Sequence, residues 1–320
     1  MGSFERCRVQ MFQEKRKKRP PGKQQDMRIQ IYRFRWFYVM FLPVMISFFI
    51  FNYIPMAGIC YSFTEYTPFR EPVFVGLENF RILFASPAFW TAFRNTLEIS
   101  LVNLVLSLVF SVGLALLIDE VASTKFRMVV QTVVYIPHFM SWVVVASIFV
   151  MFLSPKTGIV NQIIESFGGK PVYFLASETW WRPIFYIVNR WKETGWGTII
   201  FIAALAGVDQ EMHEAAKIDG ASRIQRIFYI TLPSIAGTIL VVFILNLAKV
   251  MNLFDSVWVL QNPMVINVSD VIGTYVYRMG ITSADYGLST AAGLFKSVVS
   301  VILVTAANRA SKKINGEGIL

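Results

Sequence analysis

Cysteine and histidine are almost missing from this chain, with two of each in 320 residues. Cys7 lies in a basic N-terminal tail and Cys60 lies beyond the first apolar block, which puts them on opposite sides of a membrane. They cannot pair, and no disulfide framework or thiolate metal site can be built from them. His138 and His213 are too few and too far apart in sequence for an imidazole-based metal centre. His138 directly follows Pro137 and reads as a hydrogen-bonding group at a helix kink rather than as a ligand. Charge is scarce as well, at 16% against 55% hydrophobic residues. The phosphate-cradling pattern G-x-x-x-x-G-K-[ST] does not occur. The run GGK at Gly168–Lys170 lacks its spacing, so any nucleotide must be handled by another chain.

What the chain does have is long apolar runs. A hydrocarbon core about 30 Å thick takes roughly 20 helical residues to cross. Six stretches qualify: Trp36–Met56, Leu97–Ile118, Met128–Leu153, Pro183–Gly207, Ser234–Phe254 and Gly287–Ala307. A membrane barrel would instead show short alternating segments, so the expected class is an all-α polytopic membrane protein with six transmembrane helices. The first block spans a full bilayer, follows a tail too long for a signal-peptide leader and lacks a small-x-small cleavage site. It reads as a retained anchor.

Sidedness follows from Lys and Arg, which stay in the cytoplasm on insertion. Nineteen of them fall in the tail up to Arg35, the loop with Lys125 and Arg127, the loop after Val208 and the C-terminal tail. Only seven fall on the other side, so both termini are expected to be cytoplasmic. The expected organisation is a basic tail over 1–35, a membrane domain over 36–307 with a cytoplasmic loop at 208–233, and a short tail over 308–320. Most of the net charge of +10 comes from the first tail. Its run KRKKRPPGK at Lys15–Lys23 reads as a topology signal touching anionic lipid, not as a nucleic-acid site.

The loop EAAKIDGASRIQRIFYITLP, Glu214–Pro233, stands out from its apolar surroundings. Asp209, Glu211 and Glu214 place negative charge at the start of a helix. Gly220 sits where a helix end turns left-handed, and Ser222 with Gln225 reads as a capping box opening a second helix. Ile224, Ile227, Phe228 and Ile230 then form an apolar stripe, and Pro233 occupies the first turn of the fifth span. Spacing alone fits either a helix lying on lipid or one docking into a partner's groove.

This string resembles the signature of the permeases of binding-protein-dependent ABC importers, matched at Glu214, Ala215, Ala216, Gly220, Ile230, Leu232 and Pro233, with Asp219–Ala221 supplying the frequent Asp-Gly-Ala. Phe254–Lys313, LPVMISFFIFNYIPM and YIPHFMSWVVV are similar to the carbohydrate-uptake branch that takes polysaccharides or oligosaccharides. One departure is Gly237, where relatives often carry Pro, which leaves the bend of the fifth span open. The resemblance implies a type I importer permease fold in the bacterial plasma membrane, with Glu214, Ala215, Ala216, Asp219, Gly220, Ala221, Ile230, Leu232 and Pro233 coupling to an ATPase. It also implies a second permease, two ATPase subunits that hold ATP and Mg, and an extracytoplasmic solute-binding protein. This chain itself would be non-catalytic and bind no cofactor.

Polar groups inside spans are costly in lipid and by default face a cavity or another helix. Asn189, Arg190, Lys192 and Glu193 lie in the fourth span, and Asn246, Lys249 and Asn252 recur every three residues in the fifth. These are the candidate substrate path. Internal pairing is the competing reading: Lys192 or Arg190 could neutralise Glu193. Lys296 in the sixth span sits among small residues, where a structural bond is at least as favoured. Trp180, Trp181, Tyr186, Trp191 and Trp196 could stack on sugar rings, although an interfacial belt accounts for most of them. The excess of basic over acidic groups within the spans points to an acidic oligosaccharide of the uronate or alginate kind. The alternatives are an ion-driven secondary transporter, which would show an inverted repeat and a carboxylate relay, and a membrane enzyme, which would show a catalytic constellation. Neither feature is found in the sequence.

Overall fold

The computed structural model describes residues 32–67 and 70–315. The basic run at Lys15–Lys23 and Cys7 lie outside the described residues. The backbone divides into two compact units, Met1–Gly58 and Ile59–Leu320. In the first, α1 (Arg35–Phe48) is almost wholly apolar after its opening Arg35. Helical backbone then continues through a π-turn at Phe49–Tyr53 into a 3-10 segment at Ile54–Phe63.

The second unit begins with a feature absent from the all-α expectation, an antiparallel hairpin of β1 (Thr64–Thr67) and β2 (Arg70–Phe74). β-Branched and aromatic residues favour strand there. The Asn79 amide pins the hairpin by donating to the Ser62 and Thr64 carbonyls at 3.0 and 2.8 Å. After α2 (Glu78–Ala85), the Ser86 hydroxyl caps α3 (Pro87–Asp119) by accepting from the Phe89 amide, with Pro87 at the first turn where its missing N–H costs nothing.

α3 is the spine of the unit, contributing to all three buried clusters. Its middle part packs Ile99 with Val145, Trp181, Phe185 and Val257. Its start packs Phe89 and Ala92 with Met251, Ile272 and Ala292, and its far end packs Val112 and Ala115 with Phe201, Leu205 and Ile235. Its main partner is α7 (Glu178–Leu205). Gly197 allows that close approach, since a β-carbon there would lie 2.4 Å from the Ser111 hydroxyl.

Among the described residues, four stretches are long and apolar enough to cross a membrane: Arg35–Phe63, Pro87–Asp119, Arg223–Leu247 and Tyr286–Lys313. The expected third span is instead broken. α4 (Thr124–Tyr135) passes through a 3-10 turn at Ile136–Phe139 and meets α5 (Trp142–Phe152) at a bend of 100°. Pro137 withholds a helical donor, and the Ser141 hydroxyl starts α5 afresh by accepting from the Val144 amide at 3.3 Å. The expected fourth span coincides with α7, whose charged middle makes it too polar to rank with the four. Among the described residues, length and composition thus suit four helices to crossing a membrane, or five if the bent pair makes one span.

The rest of the unit comprises α6 (Ile159–Ser166), α8 (Gln210–Ile218), α9 (Arg223–Arg226) and α10 (Leu232–Leu247), then α11 (Asp255–Leu260), α12 (Ile266–Ser269), α13 (Ile272–Tyr277) and α14 (Tyr286–Asn315). α10 runs unbroken past Gly237. It ends at Leu247, short of the expected Phe254, because the amides of Lys249 and Asn252 bond three residues back, to the Asn246 and Lys249 carbonyls.

Candidate functional site

The Glu214–Pro233 loop folds as a sharply defined elbow. The Asp209 carboxylate caps α8 by accepting from the Glu211 amide at 2.9 Å. At the other end Gly220 takes φ +80°. The Ala221 amide then reaches back to the Ala216 carbonyl at 2.9 Å and the Gly220 amide to the Lys217 carbonyl at 3.2 Å, the paired bonds of a Schellman ending. The capping box expected at Ser222 is present: the Ser222 amide donates to Gln225 Oε1 at 2.8 Å, and the Gln225 amide donates to Ser222 Oγ at 3.3 Å. Capping at both sides of one glycine fixes the angle between α8 and α9.

The second helix differs from the expectation. α9 does not stop; a π-turn at Ile227–Thr231 joins it to α10, with the Leu232 amide bonding the Ile227 carbonyl, so Arg223–Leu247 is one helix. The π-turn inserts a residue into the helical register and tolerates the absent N–H of Pro233. The same insertion splits the predicted stripe. Ile227 and Ile230 are half-buried, while Ile224, Phe228 and Tyr229 are exposed, together with Ile218 on α8. Arg223 stands 3.8 Å from Glu120 at the end of α3, an exposed pair of small energetic weight.

In α7 the polar residues have distinct surroundings. Asn189 is buried and donates to the Phe185 carbonyl at 2.9 Å. Lys192 is 4% exposed and donates to the His138 carbonyl at 2.7 Å, closing the bend between α4 and α5. Glu193 lies 3.3 Å from the Lys192 amine and 2.9 Å from His138 Nδ1, and the His138 ring stacks on Trp196 at 4.5 Å. His138 is therefore a packing hydrogen-bonder, as read from the sequence. Asn189 and Lys192 were candidates for the path, but both are committed to backbone carbonyls of this chain. Arg190 differs from them: it donates through Nη2 to Asn103 at 2.8 Å, while its buried Nε and Nη1 lack a partner among the described residues.

Asn246, Lys249 and Asn252 do not form one helical stripe, because α10 ends at Leu247. Asn246 is half-buried, and Lys249 and Asn252 are exposed on the turn that follows. Asn252 lines a cavity formed by this turn, α13 and α14.

Sequence reading missed a polar network centred on Arg182. Its guanidinium donates to the Val268 carbonyl at 3.0 Å, to Glu98 at 2.7 Å and to Asn95 at 2.7 Å. Asn95 in turn donates to the Asn267 and Asp270 carbonyls. The buried Asp270 carboxylate accepts from Arg278 at 2.5 and 3.1 Å and from Thr274 at 2.7 Å. These residues fall outside the apolar blocks or at their edges, and the bonds of Arg182 and Asn95 reach across more than 80 positions, so spacing gives no sign of them; Arg278 and Thr274 reach Asp270 locally, across eight and four positions. Trp181 likewise is buried packing, its indole N–H donating to the Leu260 carbonyl at 3.0 Å.

Comparison with known proteins places these features in a family. Residues 107–316 match the family described as the binding-protein-dependent transport system inner membrane component. Protein LplB of Bacillus subtilis (strain 168) is 43% identical over 291 residues, covering 90% of this chain and 92% of LplB. The polygalacturonan/rhamnogalacturonan transport system permease protein YteP of the same organism is 40% identical over 301 residues, covering 93% and 94%. Among solved structures, a bacterial ABC transporter involved in the import of the acidic polysaccharide alginate contains a chain that is 40% identical. It superposes with a TM-score of 0.84, covering 91% of this chain and all of that one. The alginate transporter in complex with an alginate pentasaccharide-bound periplasmic protein gives the same TM-score, 0.84, at 40% identity, with 91% and 98% covered. The elbow at Gly220, the helical architecture and these likenesses agree, and the chain belongs to the family of binding-protein-dependent ABC importer permeases.

Proposed function

We propose that this chain is one of two permease subunits of an ATP-driven importer for an acidic oligosaccharide, with six crossings and both termini in the cytoplasm. A solute-binding protein delivers the solute from outside. Two ATPase subunits bind ATP and Mg on the cytoplasmic side, and this chain binds no cofactor itself. The elbow at 208–233 carries this reading. Its rigid capping presents Ile218, Ile224, Phe228 and Tyr229 to solvent, an anchor set suited to a protein groove. The acidic solute is supported by the names of the relatives, one a polygalacturonan permease and one an alginate importer. Arg190 and Lys249 retain unpaired donors for it among the described residues, and Asn246 and Asn252 lie close to Lys249 in sequence.

Membrane vesicles carrying the chain with its partners test this reading. ATP with the binding protein drives uptake of radiolabelled oligogalacturonate, and collapsing the ion gradients leaves that uptake intact. Uptake that needs an ion gradient and persists without ATP refutes the proposal in favour of a secondary transporter.

A further inference from the structure

Lys296 is the eleventh residue of α14, in the middle of a segment long and apolar enough to cross a membrane. An ammonium at that depth is expensive unless it meets water or an anion. Its amine makes no hydrogen bond or ion pair to any described residue. It lines a cavity of about 730 Å³, a size typical of small-molecule sites.

The remaining lining suits a sugar. Asn252, Ser297 and Ser300 bring hydroxyl and amide groups, and Phe254, Tyr277 and Tyr286 bring ring faces. The rings belong to larger aromatic groups: Tyr277 lies 4.5 Å from Trp258 and 5.5 Å from Phe254, and Tyr286 lies 5.4 Å from Tyr66. Aromatic faces held firmly in this way bind the apolar face of a pyranose, while the amide and hydroxyls take its polar edge. Small residues shape the space. A β-carbon on Gly273 would come 2.5 Å from the Leu253 carbonyl and one on Gly280 would come 2.6 Å from the Ser289 hydroxyl, so α13 and the turn after it are held close to their neighbours.

We infer that this cavity is a uronate subsite on the solute's path, in which the Lys296 ammonium takes a sugar carboxylate and Tyr277 and Tyr286 hold the ring. Lys296 is then a specificity-determining residue rather than a packing group. The inference rests on the importer reading above and adds the subsite to it.

The full complex, with its partner permease, ATPases and binding protein, is reconstituted in proteoliposomes. ATP-driven uptake of trigalacturonate and of its carboxyl-reduced, neutral counterpart is compared for wild type, Lys296→Met and Lys296→Arg. Lys296→Met should lower trigalacturonate uptake at low concentration by about tenfold or more, as expected for loss of a charge-assisted hydrogen bond. Lys296→Arg should restore most of it, and the loss in Lys296→Met should fall on the charged sugar far more than on the neutral one. Lys296→Gln takes the place of Lys296→Met if the latter fails to assemble. Equal trigalacturonate uptake by all forms overturns the inference. So does a loss shared by the Met and Arg variants and extending to the neutral sugar, which would mark a packing role. A wild-type complex that imports only the neutral sugar refutes the uronate subsite and leaves the importer standing. A wild-type complex with no ATP-driven uptake of either sugar refutes the importer reading and the subsite with it.

Discussion

Replacing Gly220 with valine isolates the elbow from everything around it. Nothing lies within 4 Å of the position a β-carbon would take there, so crowding contributes little. The cost is in the backbone, which holds φ +80°. A non-glycine residue in this region is disfavoured by about 1–2 kcal/mol, and a branched β-carbon adds to that. Relieving the strain means rotating φ, which breaks the Ala221–Ala216 and Gly220–Lys217 bonds and re-aims α8 relative to α9. About 2 kcal/mol shifts the population of the native elbow by up to roughly thirtyfold against a relaxed alternative. Asparagine tolerates left-handed backbone and should be close to glycine, with alanine intermediate and valine worst. The assay is ATPase stimulation by solute-loaded binding protein, alongside uptake, in purified complex. Stimulation and uptake should fall in the order Gly, Asn, Ala, Val while unstimulated hydrolysis persists. Valine matching wild type, or asparagine as damaging as valine, refutes the reasoning.

Lys249→Ala should raise the concentration of an anionic oligosaccharide needed for half-maximal uptake while leaving basal ATPase activity intact; unchanged uptake kinetics remove Lys249 from the path. Gly195→Ala places a β-carbon 1.9 Å from the Val134 carbonyl oxygen, where α4 meets α7, and should lower the melting temperature in detergent by the equivalent of about 1–3 kcal/mol or more. Gly237→Ala meets nothing within 4 Å inside α10, and should be neutral or stabilising by up to about 1 kcal/mol. Arg278→Met strands the buried Asp270 carboxylate and should destabilise the chain by about 3–5 kcal/mol, whereas Arg278→Met combined with Asp270→Leu should recover most of the loss in thermal unfolding.

The elbow was the most legible part of the sequence because its determinants are local. Asp209, Gly220, Ser222 and Gln225 act within five residues of themselves, and each makes the bond its type and position predict. The apolar blocks located the long helices for the same reason, and Pro137 marked the bend though not its 100°. What stayed hidden is non-local. The Arg182 and Asp270 network joins α3, α7 and the 262–278 segment, and hydrophobic periodicity carries no record of which carbonyl a guanidinium will reach. The Asn246–Asn252 pattern misled because a spacing of three fits a helix and also fits successive turns; the helix ends at Leu247. The π-turn at Ile227–Thr231 was invisible, since nothing in IFYIT distinguishes a wide turn from an ordinary one. For Lys296, small neighbours in the sequence leave a structural bond at least as favoured as a place on the path, and spacing carries no record of the cavity that it lines.

The helix from Arg223 to Leu247 runs about 37 Å at 1.5 Å per residue; it carries the capped elbow at one end and, at the other, Asn246 in its last turn with Lys249 and Asn252 on the turn that follows. Two binding events that bias the position of one rod are bound by thermodynamic reciprocity. Under the importer proposed above, if nucleotide on the partner ATPases alters solute affinity by some factor, solute must alter nucleotide affinity by the same factor. The two linkages are then a single free energy measured from opposite faces of the membrane, and a mismatch between them would mean that a second element of the complex carries part of the signal.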